Sequence, residues 1–180
     1  MKNLFIVLFV AFAIAFSSCG KKDETKEEKK DSDKKEVVKD DILKVLVYDK
    51  GFVNQYGESV ASLRLKSKAE NKTAYFLNIY YKGDWKDYKK DEFKSSSEKI
   101  GKYPAIIDKS LTSIILDVQV APGVLISVQW RDDLQKGYDD IETMKKVASM
   151  YDLEGIEKLT GEKVSGTELA KYFPKFETEK

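Results

Sequence analysis

The side chains able to do chemistry in this chain form a restricted set. There is one cysteine, Cys19, and no histidine among the 180 residues. Imidazole general bases, Ser-His-Asp and Cys-His constellations and His-containing zinc sites are therefore excluded. What remains is the chemistry of carboxylates, lysines and tyrosines. Acids are plentiful, with 31 Asp plus Glu, so their presence alone says nothing. The acidic pairs Asp132-Asp133 and Asp139-Asp140 lack the alternating spacing that wraps calcium in a D-x-D-x-D-G loop. They read instead as the residues following a strand and as a helix cap, respectively. No nucleophile elbow, phosphate-cradling glycine loop or metal-ligand cluster is visible. No catalytic residue is assigned, and neither a metal nor a cofactor is expected. Carboxylate pairs can still meet in three dimensions alone, so a small carboxylate- or tyrosine-dependent hydrolase or lyase stands as the alternative to a noncatalytic role.

Aromatic residues give the stronger signal. Tyr75, Tyr80, Tyr81, Trp85, Tyr88 and Tyr103 crowd one stretch of the chain, and Tyr and Trp combine apolar area with a polar tip, which favours them at interfaces. Gly83 interrupts the apolar run there, while Asp84, Lys86 and Asp87 require solvent. Tyr81, Trp85 and Tyr88 are accordingly the candidate binding edge. The lysines beside them, Lys86, Lys89 and Lys90, alternate with Asp84, Asp87, Asp91 and Glu92, and the whole chain carries a net charge of only +1. A nucleic-acid partner would call for a basic stripe; none is expected.

The N-terminus joins a basic start, Met1-Lys2, to an apolar run over residues 4–16 and then Ser17-Ser18-Cys19. That is the layout of a secretory signal. The run is short of the ~20 residues a helix needs to cross a bilayer. The ending Phe16-Ser17-Ser18-Cys19 resembles the bacterial lipoprotein lipobox, with Phe16 standing where the pattern usually has Leu, Val or Ile. The resemblance implies a signal peptide over residues 1–18 and Cys19 as the lipid attachment site, carrying diacylglycerol and a palmitate-type chain. It also implies a cell-envelope protein, held to a membrane on the periplasmic or outer-surface side through its N-terminal lipid. Residues 20–24, Gly-Lys-Lys-Asp-Glu, resemble the lysine-and-acid export signal of some surface lipoproteins.

Residues 19–41 mix lysines and acids with almost no apolar residue and read as a disordered tether. Like charges recur at i,i+4, as in Lys22/Lys26, Glu24/Glu28 and Lys30/Lys34, which penalises a helix. A single domain is expected over residues 42–176, with 177–180 a tail. Residues 42–48 read as a strand or a helix-to-strand entry. Ala61, Leu63 and Leu65 alternate with polar residues at strand period, and a turn at Glu70-Asn71-Lys72 leads to a second strand over 73–81, forming a hairpin. Residues 84–94 read as a short helix or ordered loop. Strands follow over 99–108, 111–121 and 124–130, with a type II turn at Pro122-Gly123. The period then becomes helical: Asp139 with Glu142 has the capping-box offset, and Ile141, Met144, Val147, Ala148 and Tyr151 mark one face. A second helix is expected over 153–159 before Gly161, and a capped last turn from Ser165 and Glu168 to Tyr172.

Strands first and helices last give an α+β fold: an antiparallel sheet of about five strands with a C-terminal helix packed on it. The order of Lys99-Ile100-Gly101-Lys102-Tyr103-Pro104-Ala105, the strand pair ending in residues 123–128, and a helix finishing near Tyr151-Asp152-Leu153 resembles PsbP-like domains and similar small secreted lipoproteins. The resemblance covers roughly residues 60–160 and implies a fold, which does not by itself supply a function. The expected role is a monomeric, noncatalytic binding or assembly module, with an envelope protein or a small ligand as partner.

Overall fold

In a computed structural model, the described residues are 39–49 and 59–178. Cys19, the expected signal segment and the expected tether up to residue 38 lie outside them. A short helix, α1 (Lys39–Lys44), opens the described chain, so regular structure begins inside the last three residues expected to belong to the tether. The strands are β1 (Leu46–Tyr48), β2 (Val60–Ser67), β3 (Thr73–Tyr81), β4 (Lys99–Ile100), β5 (Tyr103–Lys109), β6 (Ser113–Ala121), β7 (Val124–Arg131) and β8 (Glu177–Thr178). Their spatial order is β4-β5-β6-β7-β3-β2-β1-β8, antiparallel at every junction except β1 with β8.

The α+β class and the antiparallel sheet stand as expected, but the sheet has eight strands among the described residues, not about five. The added strands are short pieces that carry no readable period. The run 99–108 splits into β4 and β5 because Gly101, at φ +60°, lets the chain reverse between Ile100 and Tyr103, which then pair. The first two residues of the expected tail form a strand: Glu177 pairs with Val47, and its carboxylate meets Lys68 at 2.7 Å.

The β2–β3 hairpin sets the alternation that organises both faces. Ala61 and Leu65 of β2 and Tyr75, Leu77, Ile79 and Tyr81 of β3 are all buried, as are Leu116 and Val118 of β6 and Ile126 and Val128 of β7. They form the face covered by α3 (Ile141–Ser149), α4 (Leu153–Glu157) and α5 (Gly166–Leu169). Each fully buried Leu, Ile or Val contributes ~1.5–3 kcal/mol. Met144, Val147 and Ala148 of α3 are wholly buried against this face. The cap of α3 differs from expectation by one residue: Asp140, not Asp139, is the N-cap, and its carboxylate accepts from Thr143 N at 3.0 Å and Thr143 Oγ1 at 2.8 Å. Thr143 thus supplies two donors to the cap, one from its backbone and one from its hydroxyl. Ser165 Oγ does accept from Glu168 N, and the β6–β7 turn carries Gly123 at φ +74°. A Cβ at Gly123 would also stand 3.1 Å from the Lys86 Cα, so that backbone would have to give way slightly.

On the opposite face a polar row runs across four strands. Ser62, Asn78, Ser127 and Asp117 are register neighbours, with Ser62 Oγ donating to Asn78 Oδ1 at 2.7 Å. The segment from Lys82 to Ser96 folds back over part of this face.

Candidate functional site

The alternation of β3 sends its last two tyrosines to opposite faces. Tyr81 points into the helix-covered core with no exposed surface, and its hydroxyl donates to the carbonyls of Leu159 (3.2 Å) and Gly161 (3.3 Å). It therefore offers no edge to solvent, which corrects the expectation that it belongs with Trp85 and Tyr88. Tyr80 takes its place. A 3-10 turn over Gly83–Trp85 returns the indole onto Tyr80, with ring centroids 4.1 Å apart at 31°, and Tyr88 meets Trp85 edge-on at 5.1 Å. All three rings are half-buried. The step of one residue follows from the pleat: only side chains of the same parity share a face.

The reversal that makes this possible is a strained one. Lys82 sits at φ +56°, ψ −144° and Gly83 at φ +63°. A non-glycine residue in such a region costs on the order of 1–3 kcal/mol and persists only where surrounding contacts enforce it. Here the enforcing bonds are Lys82 N to Gly123 O (2.6 Å) and Tyr81 N to Ser59 O (2.8 Å). Ser59 is itself at φ +66°, with its own N–H on Val164 O at 3.1 Å.

The far end of the segment is pinned by charge. Tyr88 donates to Asp117 Oδ2 at 3.0 Å, and Lys89, in left-handed conformation, forms an ion pair with Asp108. The helix α2 (Lys90–Ser95) then seats Phe93 in the interior. Asp117 is only 4% exposed. Burial pushes its carboxyl above the ordinary range, opposed by hydrogen bonds from Ser127 and Tyr88 and by the Lys89 charge. The Tyr88 hydroxyl is likewise pushed up, by burial and then by the Asp117 charge. Asp117 lies buried beneath the segment, and the half-buried Tyr88 bonds down to it as a clasp.

The accessible feature is a hollow of about 340 Å³ beside Trp85. Its half-buried wall consists of Ser59, Val60, Lys82 and Trp85, and its exposed rim carries Asp84, Lys86, Glu162 and Lys163. Lys82 Nζ is tied to the Gly161 carbonyl and lies 5.3 Å from the centre of the Tyr81 ring. The hollow thus brings together a residue the sequence marked, Trp85, with Ser59 and Lys82, which it did not; positive φ at a serine or a lysine leaves no compositional trace. Tyr88 buttresses the indole from behind without lining the hollow. Among the described residues no group of three or more acidic or thiol side chains is arranged to hold a metal ion, and no helix is long and apolar enough to cross a membrane. No known family model, curated protein or solved structure matches this chain.

Proposed function

We propose that the chain is an envelope lipoprotein, tethered through Cys19, whose folded domain serves as a noncatalytic binding or assembly module presenting Trp85. The observation that carries this reading is the treatment of the indole: it is propped from behind by Tyr80 and Tyr88, left half-exposed, and set in the wall of a hollow by a backbone reversal that costs energy. A tryptophan needed only for packing would sit in the core and require no such support. The burial-shifted acid of this region, Asp117, is occupied in holding the segment down, which favours binding over turnover. The alternative, a carboxylate-dependent hydrolase or lyase, draws on the two acids at the rim, Asp84 and Glu162.

Iodide quenching in a Trp130→Phe background reports Trp85 alone, since the chain has two tryptophans. Partial quenching, together with loss of an envelope component on Trp85→Ala, supports the reading; full protection of the indole, or unchanged capture by the variant, defeats it. The anchor is tested separately by metabolic palmitate labelling, which Cys19→Ala should abolish; equal labelling of both chains removes the lipoprotein half of the proposal.

A further inference from the structure

We propose that the hollow beside Trp85 binds a small ring-bearing anion, with the charged group at Lys82 and Ser59 and the ring against Trp85 and Val60. This rests on reading Trp85 as a binding edge and adds the chemical class of what that edge receives. The sign of the site is set by depth. The half-buried wall holds one cation, one hydroxyl, one indole and one valine, and no acid. Both acids that line the hollow, Asp84 and Glu162, are on its exposed rim, where Lys86 and Lys163 balance them. The rim charges offset one another, whereas no acid of the wall offsets the ammonium of the half-buried Lys82. An incoming ligand therefore meets positive potential inside and a neutral collar outside.

Lys82 is available for this role. An ammonium has three donors, and the Gly161 carbonyl accepts from it; among the described residues no carboxylate pairs with it. That carbonyl bond also fixes where the charge sits, so binding an anion does not require ordering a free lysine chain, a saving in entropy that favours affinity. Three chain segments, 59–60, 82–86 and 162–163, form the walls, and they are bound to one another and to the β6–β7 turn by Tyr81 N to Ser59 O, Ser59 N to Val164 O and Lys82 N to Gly123 O. The site is therefore built before the ligand arrives. Its volume lies at the small end of ligand cavities, which span ~300–1,000 Å³, and suits a single substituted ring. A second hollow, of about 280 Å³ near Tyr103 and Tyr151, has Asp152 and Glu154 in its lining and no lysine or arginine, so it lacks the same sign.

The test uses the full chain with Trp130→Phe and follows Trp85 fluorescence during titration with phenyl phosphate. Saturable binding is expected, weakened at least tenfold by Lys82→Gln and less than threefold by Lys86→Gln. Phenyltrimethylammonium, which keeps the ring and inverts the charge, should give no saturable change. Equal or tighter binding of the cation overturns the proposal, as does a folded Lys82→Gln variant with a Kd within threefold of its parent. Should Lys82→Gln fail to fold, competition decides: excess inorganic phosphate must raise the apparent Kd of phenyl phosphate, and no competition overturns the proposal. If phenyl phosphate does not bind while Trp85→Ala still loses its envelope component, the anion site is wrong and the binding edge survives. Saturable phenyl phosphate binding with capture unchanged in Trp85→Ala supports the anion site and removes the edge as an assembly surface.

Discussion

The two faces of this sheet are held by different physics. Beneath α3 and α4, strand residues of one parity meet a helix stripe, and Leu77, Ile79, Ile126, Met144 and Val147 interlock with no polar atom in their side chains. On the other face the covering segment buries one large apolar side chain, Phe93, and is otherwise held by an aromatic stack, a phenol on a buried carboxylate, an ion pair and a strained lysine. The first arrangement is non-directional and scales with area; the second depends on a few bonds of fixed geometry, each expensive to leave unmade. Such a surface retains exposed, pre-positioned groups, which a packed face cannot.

If that contrast is right, the largest single loss comes from the packed face. Met144→Ala removes buried methylene groups from a side chain with no exposed surface and should cost ~2–5 kcal/mol, according to how far the site collapses. Chemical denaturation measures it directly. A near-silent Met144→Ala would mean that α3 does not dock through this face, and the distinction between the two sides would fail.

The clasp should cost less and respond to pH. Tyr88→Phe leaves Asp117 buried without its phenolic donor, a loss of ~1–3 kcal/mol. Because burial lifts the Asp117 carboxyl, the folded chain binds this proton more tightly than the unfolded chain. Its contribution to stability is thus greatest below the unfolded-state value near ~3.9, falls as pH rises to the folded value, and is flat above it. Asp133 and Glu157 act in the opposite sense: their pKa values are lowered by Arg131 and by Lys102, so their contributions are lost as pH falls through those folded values. Asp117→Asn keeps an acceptor for Tyr88 and removes the buried charge. Its thermal midpoint should be no lower than that of the parent at pH 7, and that relative standing should worsen on acidification toward pH 4. A variant destabilised at pH 7 and rescued by acid would show that the charge, not the hydrogen bond, holds the segment.

What could be read in advance follows the same division. The β2–β3 hairpin, the Pro122-Gly123 turn and the apolar stripe of α3 are each encoded by neighbours within a few positions, through period or turn chemistry. The interactions that build the hollow span longer distances: Ser59 binds Val164, Lys82 binds Gly161, and Tyr88 finds Asp117. No local pattern announces such pairs. The aromatic cluster was visible as composition, yet assigning Tyr81 to the edge required a parity that only the strand's final register supplies, and that register gives the role to Tyr80. The separate β4 and the terminal β8 were hidden for a related reason, because a two-residue strand exists only through its partner, whereas the helix-to-strand entry read over 42–48 stands as α1 and β1.

The smallest effect tests the one local device of the packed face whose position the sequence suggested one residue early. The Asp140 carboxylate accepts both the backbone N–H and the hydroxyl of Thr143, satisfying one of the otherwise unpaired donors at the start of α3. Asp139 is exposed. Asp140→Ala should therefore cost ~1 kcal/mol, a fall in thermal midpoint of about 4 °C for a domain of this size, whereas Asp139→Ala should stay within ~0.5 kcal/mol of the parent. Thr143→Ser, which keeps the hydroxyl, should retain most of the cap. If Asp139→Ala is the costlier of the two, α3 starts one residue earlier, with Glu142 closing a capping box. The helix would then gain Asp140 as its first residue, while Met144, Val147 and Ala148 keep the face they bury against the sheet.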